Sequence, residues 1–167
     1  MPNLGPGVPN NVVATPAPLL VFTPTPGAAA SCRFVNLGSS TAYIGGPGVS
    51  PGNGLPLAPG NRPVDLQTAN VNLYACSGVS GVIATTTLTA AAVAAGATSF
   101  TVAAAVTAGT YLRVGNSTGV EYVLASSVAS NTVVTTGTPI VYDHAASATV
   151  ATVTPAATPL TISAGVL

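Results

Sequence analysis

Apolar positions along this chain alternate with polar ones instead of falling at the three-and-four spacing of a helix face. In Thr98-Ser99-Phe100-Thr101-Val102, two apolar side chains are separated by hydroxyl residues. That is the pattern of a half-buried strand with Phe100 and Val102 turned inward. Short runs rich in Val, Thr, Ile and Tyr, bounded by Gly, Pro, Asn and Ser, recur along most of the sequence. They predict strands at Leu19–Thr23, Cys32–Leu37, Thr41–Ile44, Leu55–Leu57, Arg62–Leu66, Val71–Cys76 and Gly81–Thr85. A second series follows at Ser99–Ala103, Tyr111–Val114, Val120–Ser126, Thr132–Thr136 and Thr149–Val153, with a strand-like piece at Leu160–Ser163. Helical signals are nearly absent. Eighteen Gly and 15 Pro punctuate the chain, and there is hardly any Glu, Lys or Arg to clothe a helix surface. Ala90–Ala97 fits either one short helical turn or a linker. The expected fold class is all-β.

Turn chemistry divides the pattern into units. Gly38-Ser39-Ser40 reads as a turn, and so does Pro59-Gly60, with Pro preset for the first central position and Gly suited to the second. Gly45-Gly46-Pro47-Gly48 and Pro51-Gly52-Asn53-Gly54 make an irregular connection between strands. Gly115 to Gly119 reads as a hairpin loop, and Ser130-Asn131 turns the following pair. The organisation expected from these signals is two small β-sandwich or β-barrel-like units. Residues 1–18 form an extended Pro-rich N-terminal arm, 19–84 a first β domain, 85–154 a second β domain and 155–167 a C-terminal tail. Seven prolines lie within the first 30 residues (Pro2, Pro6, Pro9, Pro16, Pro18, Pro24 and Pro26), and each removes a ladder donor, which favours extended or edge conformations.

Charge changes the picture most. The 167 residues include 3 Lys+Arg, 3 Asp+Glu and 1 His, so charged residues are 4% of the chain and the formal net charge is zero. An ordinary soluble domain carries about 25% charged residues. With so little charge to clothe a free surface, the simplest reading is that partners cover much of it in an assembly. Neutrality supplies no electrostatic reason to bind nucleic acid or an anionic membrane. The stretch from Leu88 to Gly109 is mostly Ala, interrupted by Thr, Ser and Gly, and is too weakly apolar for a spanning helix of about 20 residues. No basic n-region or uninterrupted apolar run marks a secretory signal at the N-terminus.

The same scarcity shortens the search for chemistry. Asp143 and His144 are neighbours, and neighbours on a strand point to opposite faces, so they are not expected to form a dyad unless they sit in a loop. Gly48-Val49-Ser50-Pro51-Gly52 spells G-x-S-x-G, but it lies in the irregular Gly/Pro connection and leads into no helix, so it is not read as a nucleophile elbow. His144 and Glu121 are expected to be structural hydrogen-bonding residues. Arg33, Arg62 and Arg113 can pair with Asp65, Glu121 and Asp143; Arg62 is close to Asp65 in sequence, and Arg113 and Glu121 flank one hairpin loop. Cys32 and Cys76 are expected as two small buried thiols, with a disulfide open if their strands are neighbours. Two cysteines and one distant His do not make a zinc site. The glycine run at 45–48 lacks the Lys-Ser/Thr ending of a phosphate loop. Tyr43, Tyr74, Tyr111, Tyr122 and Tyr142 read as packing residues more readily than as a sugar-stacking platform. No catalytic residue, cofactor site or metal site is expected, and the chain is read as a non-enzyme.

Phe34 to Gly78 resembles a recurrent module of tailed-bacteriophage virion proteins. The residues that carry the resemblance are Asn36, Tyr43, Ile44, Gly45, Gly46, Val49, Asn53, Gly54, Leu57, Pro59, Gly60 and Leu73-Tyr74-Ala75. The second half, from Ala97 to Val150, is similar to small β-domains of phage structural proteins, with Ala146 and Ser147 where that pattern often has a Gly after its His. The resemblance implies a capsid decoration or cement protein on the outer surface of the capsid lattice, made in the host bacterial cytoplasm. It implies the major capsid protein as partner and a homo-oligomer, in comparable proteins often a trimer. The alternatives are a head-fibre or tail component, although neither extended repeats nor heptads are visible, and a carbohydrate-binding adhesion module.

Overall fold

A computed structural model of the chain describes residues 10–24, 29–60, 62–88, 91–115, 119–156 and 158–166. Its strands are, in chain order, β1 (Asn10–Ala14), β2 (Leu19–Phe22), β3 (Ala29–Asn36), β4 (Ala42–Gly45), β5 (Leu55–Leu57), β6 (Val64–Ala69) and β7 (Leu73–Ser77). There follow β8 (Val79–Thr87), β9 (Ser99–Thr101), β10 (Tyr111–Val114), β11 (Glu121–Ala129), β12 (Val133–Thr136), β13 (Thr149–Pro155) and β14 (Thr158–Val166). All pairings are antiparallel, and the described residues contain no helix. The all-β expectation holds. The alanine-rich stretch is not helical over its described residues, 91–97.

The chain divides into two compact units, one made of residues 1–78 and 156–167 and the other of Val79–Pro155. The division expected after residue 84 thus falls at Gly78/Val79, because β8 pairs along its length with β13. In the first unit, two four-stranded sheets have the orders β1-β14-β3-β6 and β2-β7-β4-β5. Alternation sets what they bury: Cys32, Phe34 and Asn36 of β3 point inward while Arg33 is exposed. Phe34 packs in one core with Ala14, Phe22, Ile44, Leu57, Ala75 and Leu160, drawn from both sheets. This is a β-sandwich.

Both segments expected to flank the domains contribute strands to that sandwich. Residues 1–9 of the expected arm lie outside the described residues, but Asn10–Ala14 is strand β1, paired with β14 from Asn10↔Ile162 to Ala14↔Thr158. The stretch expected as a tail supplies β14, which lies between β1 and β3. Pro159 is tolerated there because it stands opposite Val13 alone; pairing with β3 begins one residue later, at Leu160↔Asn36.

The second unit is one six-stranded sheet of order β8-β13-β10-β11-β12-β9. Its two end strands meet: Leu88 bridges Val102, and the Ala103 N–H donates to the Thr87 carbonyl at 2.8 Å. The sheet therefore curls on itself around Phe100, Val102, Leu112, Val114, Val123, Val134 and Val150. Phe100 and Val102 are inward as the alternation predicts. A bulge between Ala125 and Ser127 bends β11. Ser130 and Asn131, both at positive φ (50° and 61°), make the tight turn into β12. Ser147 has φ 63°, the left-handed conformation that glycine adopts most readily.

Candidate functional site

Polar side chains that survive burial do so only with partners; among the described residues Glu121 and His144 in the second unit and Asn36 in the first are the most fully engaged. In the second unit Glu121 opens β11 opposite Val114, which puts it on the core face of the sheet. His144 lies on the segment between β12 and β13, held there by a mutual backbone pair with Val93: 2.9 Å from Val93 N–H to the His144 carbonyl and 2.8 Å in return. His144 Nε2 is 2.7 Å from Glu121 Oε1, and both side chains are 3% exposed. The carboxylate also accepts from the Val141 N–H at 2.8 Å and the Tyr142 N–H at 3.1 Å. One acidic side chain thereby fixes the whole run from Val141 to His144 against β11.

Gly115 completes the enclosure. It sits at φ 103°, and a Cβ there would lie 2.8 Å from His144 Cε1 and would collide with the Gly119 carbonyl oxygen. Asp143, the sequence neighbour of His144, is exposed and accepts from the Ala95 N–H at 2.8 Å. The two neighbours point apart and form no dyad. Among the described residues no hydroxyl or thiol is hydrogen-bonded to the His144 ring, and the ring is sealed from solvent. The arrangement is suited to fixing a loop, since general acid–base chemistry needs a group within reach of a substrate proton.

The first unit has a neutral counterpart. Asn36, fully buried at the end of β3, donates through Nδ2 to the carbonyls of Ser40 (2.8 Å) and Leu57 (2.7 Å), while its Oδ1 accepts from the Gly38 N–H (2.9 Å). It thus ties the β3–β4 turn to β5, a strand of the other sheet. Beyond β4, Asn53 Oδ1 accepts from the Ser50 N–H at 2.7 Å, and Asn53 Nδ2 donates to the Gly48 carbonyl at 3.0 Å. Gly54 has no room for a side chain: a Cβ would stand 2.7 Å from Val49 Cγ2 and 2.8 Å from Tyr43 Cβ. Asn36, Val49, Asn53 and Gly54, all within the motif at Phe34 to Gly78, are therefore architectural.

The remaining charges depart from the expected pairing. Asp65 meets Arg33, at 2.8 Å for each of two parallel contacts. The strand register explains this, since Arg33 and Asp65 stand directly opposite on β3 and β6, whereas Arg62 lies before β6. The Arg33 guanidinium holds the Asp65 carboxyl below its ordinary value, chiefly through these hydrogen bonds. Arg113 does not pair with Glu121, because Arg113 is opposite Tyr122 and Glu121 opposite Val114, on alternate faces.

Cys32 and Cys76 are buried, free thiols. Burial pushes the Cys32 thiol up to about 11 and the Cys76 thiol to about 12, away from the thiolate form that reacts. Among the described residues no group of three or more His, Cys, Asp or Glu is positioned to hold a metal ion. No helix among them is long and apolar enough to cross a membrane.

The Glu121–His144 pairing was not legible in the sequence. The available signal was scarcity: with 1 His and 3 Asp+Glu in the chain, a buried His has few acidic partners to choose from. No protein-family model, no curated protein and no solved structure matches the chain.

Proposed function

We propose that this chain is a non-enzymatic virion component, a decoration protein that binds the outer surface of a bacteriophage capsid lattice and stabilises it as a homo-oligomer in contact with the major capsid protein. The observation that carries the reading is a surface nearly without charge that still exposes large apolar side chains. Only 4% of residues are charged, while Val13, Leu37, Val71, Val82 and Ile83 are each about half exposed or more. A free protein gains solubility from charge; a shell component instead covers such positions with neighbours. The buried polar groups support the same reading, because Glu121, His144 and Asn36 are each occupied in fixing loops.

The mechanism needs no chemistry. Each apolar contact with a capsomer is stabilised by about 25 cal/mol per Å² removed from water, and repetition over a lattice adds avidity. The test adds the full chain to phage capsids that lack it, followed by thermal melting of the shells and electron microscopy. A higher melting temperature with density at regular lattice positions is the expected result. Unchanged melting with no bound density overturns the proposal, and density confined to the vertex, neck or tail reassigns the chain to the fibre or tail class.

A further inference from the structure

Strand edges carry unpaired N–H and C=O groups, and proteins guard them with prolines, charges or brevity. Most sheet edges here are guarded in that way. β5 contains Pro56, β2 runs between Pro18 and Pro24, β6 contains Asp65 and follows Pro63, and β1 has five residues and stops before Pro16. β9 has three residues and is joined to the end of β8. β8 is different. It is an end strand of its sheet, nine residues long, with neither proline nor charge. Among the described residues, only its C-terminal end is closed, through Leu88↔Val102, the Ala103 N–H to Thr87 carbonyl bond and the Ala104 N–H to Thr86 Oγ1 bond. From Ser80 to Thr85 every residue is exposed, and Val82 and Ile83 (60% and 68%) are among the most exposed large apolar side chains of the described residues.

We propose that the outer edge of β8 over Val79–Thr85 is a self-association surface, on which a second copy of this chain pairs its own β8 antiparallel about a twofold axis near Val82. Three features favour a copy over another partner. In a twofold contact each residue meets its own kind or a reciprocal partner, so any charge risks meeting itself, and neither β8 nor the β13 strand behind it carries one. The sequence Val79-Ser80-Gly81-Val82-Ile83-Ala84-Thr85 is self-complementary in size about Val82, pairing the largest side chain, Ile83, with Gly81 of the other copy. The space over Gly81 is open, since a Cβ there would meet nothing within 4 Å. Two bulges against β13 fall within this stretch and increase its twist, the one edge guard that β8 carries, so the pairing is short and rests on Val82 and Ile83. The contact stands on the strand alone and does not depend on the virion reading.

The experiment is sedimentation velocity of the full chain over a concentration series, comparing wild type with Ile83→Lys, Val82→Lys and, as an exposed control on another sheet, Val13→Lys. A wild-type dimer whose dissociation constant rises at least tenfold in both β8 variants, with Val13→Lys unchanged, is expected. A Val82→Cys chain, oxidised at concentrations where wild type is dimeric, gives a disulfide-linked pair, a readout that does not depend on destabilising anything. A wild type that stays monomeric throughout, an oligomer indifferent to Ile83→Lys, or a trimer each overturns the twofold pairing.

Discussion

Replacing Glu121 by Ala removes one carboxylate and strands three donors: the Val141 and Tyr142 amides and the His144 ring, at 2.8, 3.1 and 2.7 Å. The His144 contact is buried, and an unsatisfied buried donor costs about 1–3 kcal/mol. The two amides are only partly buried and regain some hydration, so about 0.5–1 kcal/mol each is appropriate. The sum is about 3 kcal/mol, at the low end of what breaking a buried pair by deleting one partner costs. That is a large share of the total stability of a domain. His144→Ala is expected to cost less, about 1–2 kcal/mol, because the carboxylate keeps both amide donors. The double variant should fall short of the sum of the singles by about 1 kcal/mol or more, since the residues share one network. Urea denaturation of the full chain, read by hydrogen exchange in peptides from β10 to β13, separates this unit from the other. A Glu121→Ala loss below about 1 kcal/mol, or strict additivity in the double variant, would refute the view that this carboxylate organises the 141–144 segment.

Other consequences are as direct. Gly115→Ala should destabilise the same unit by about 2 kcal/mol, from its positive φ and its crowding of His144, visible as a lower urea midpoint and a shifted His144 ring resonance. Asn36→Ala should cost the sandwich about 2–3 kcal/mol through the lost Ser40, Leu57 and Gly38 contacts, with faster amide exchange in β4 and β5. The thiols give a pH dependence of defined sign. Their native values, about 11 for Cys32 and about 12 for Cys76, exceed the ordinary 9.0, so above that value the native chain holds protons that the unfolded chain releases. This contribution is complete below the ordinary value and is lost as pH rises through the two native ones. The wild-type urea midpoint should therefore fall between about pH 8 and pH 10 more steeply than that of a Cys32→Ala/Cys76→Ala chain; equal slopes would contradict it.

Strand identity was legible because side-chain alternation and turn residues are local signals. Tyr111–Val114 and Leu55–Leu57 coincide with their strands residue for residue, and most others fall within a few residues. β1 was missed because Asn10–Ala14 lies among prolines and its pairing partner is β14, about 150 residues away in sequence. The same distance hid the role of residues 158–166: a segment whose neighbours come from the other end of the chain gives no local sign that it is central to a sheet. The Arg33–Asp65 and Glu121–His144 pairs were hidden for a related reason. Proximity in sequence suggested Arg62 and Arg113, whereas strand register and the path of a loop chose the partners.

The discontinuous build of the first unit sets an order on synthesis. β14 leaves the ribosome only after all of Val79–Pro155, and without it β1 and β3 have no strand between them. The second unit holds its strands within one continuous stretch and can complete itself first, while the sandwich waits for β14 with Cys32, Phe34 and Ala14 uncovered. A nascent or prematurely ended chain thus displays an unfinished sheet to chaperones and proteases. Completion of β14 therefore decides whether the sandwich closes.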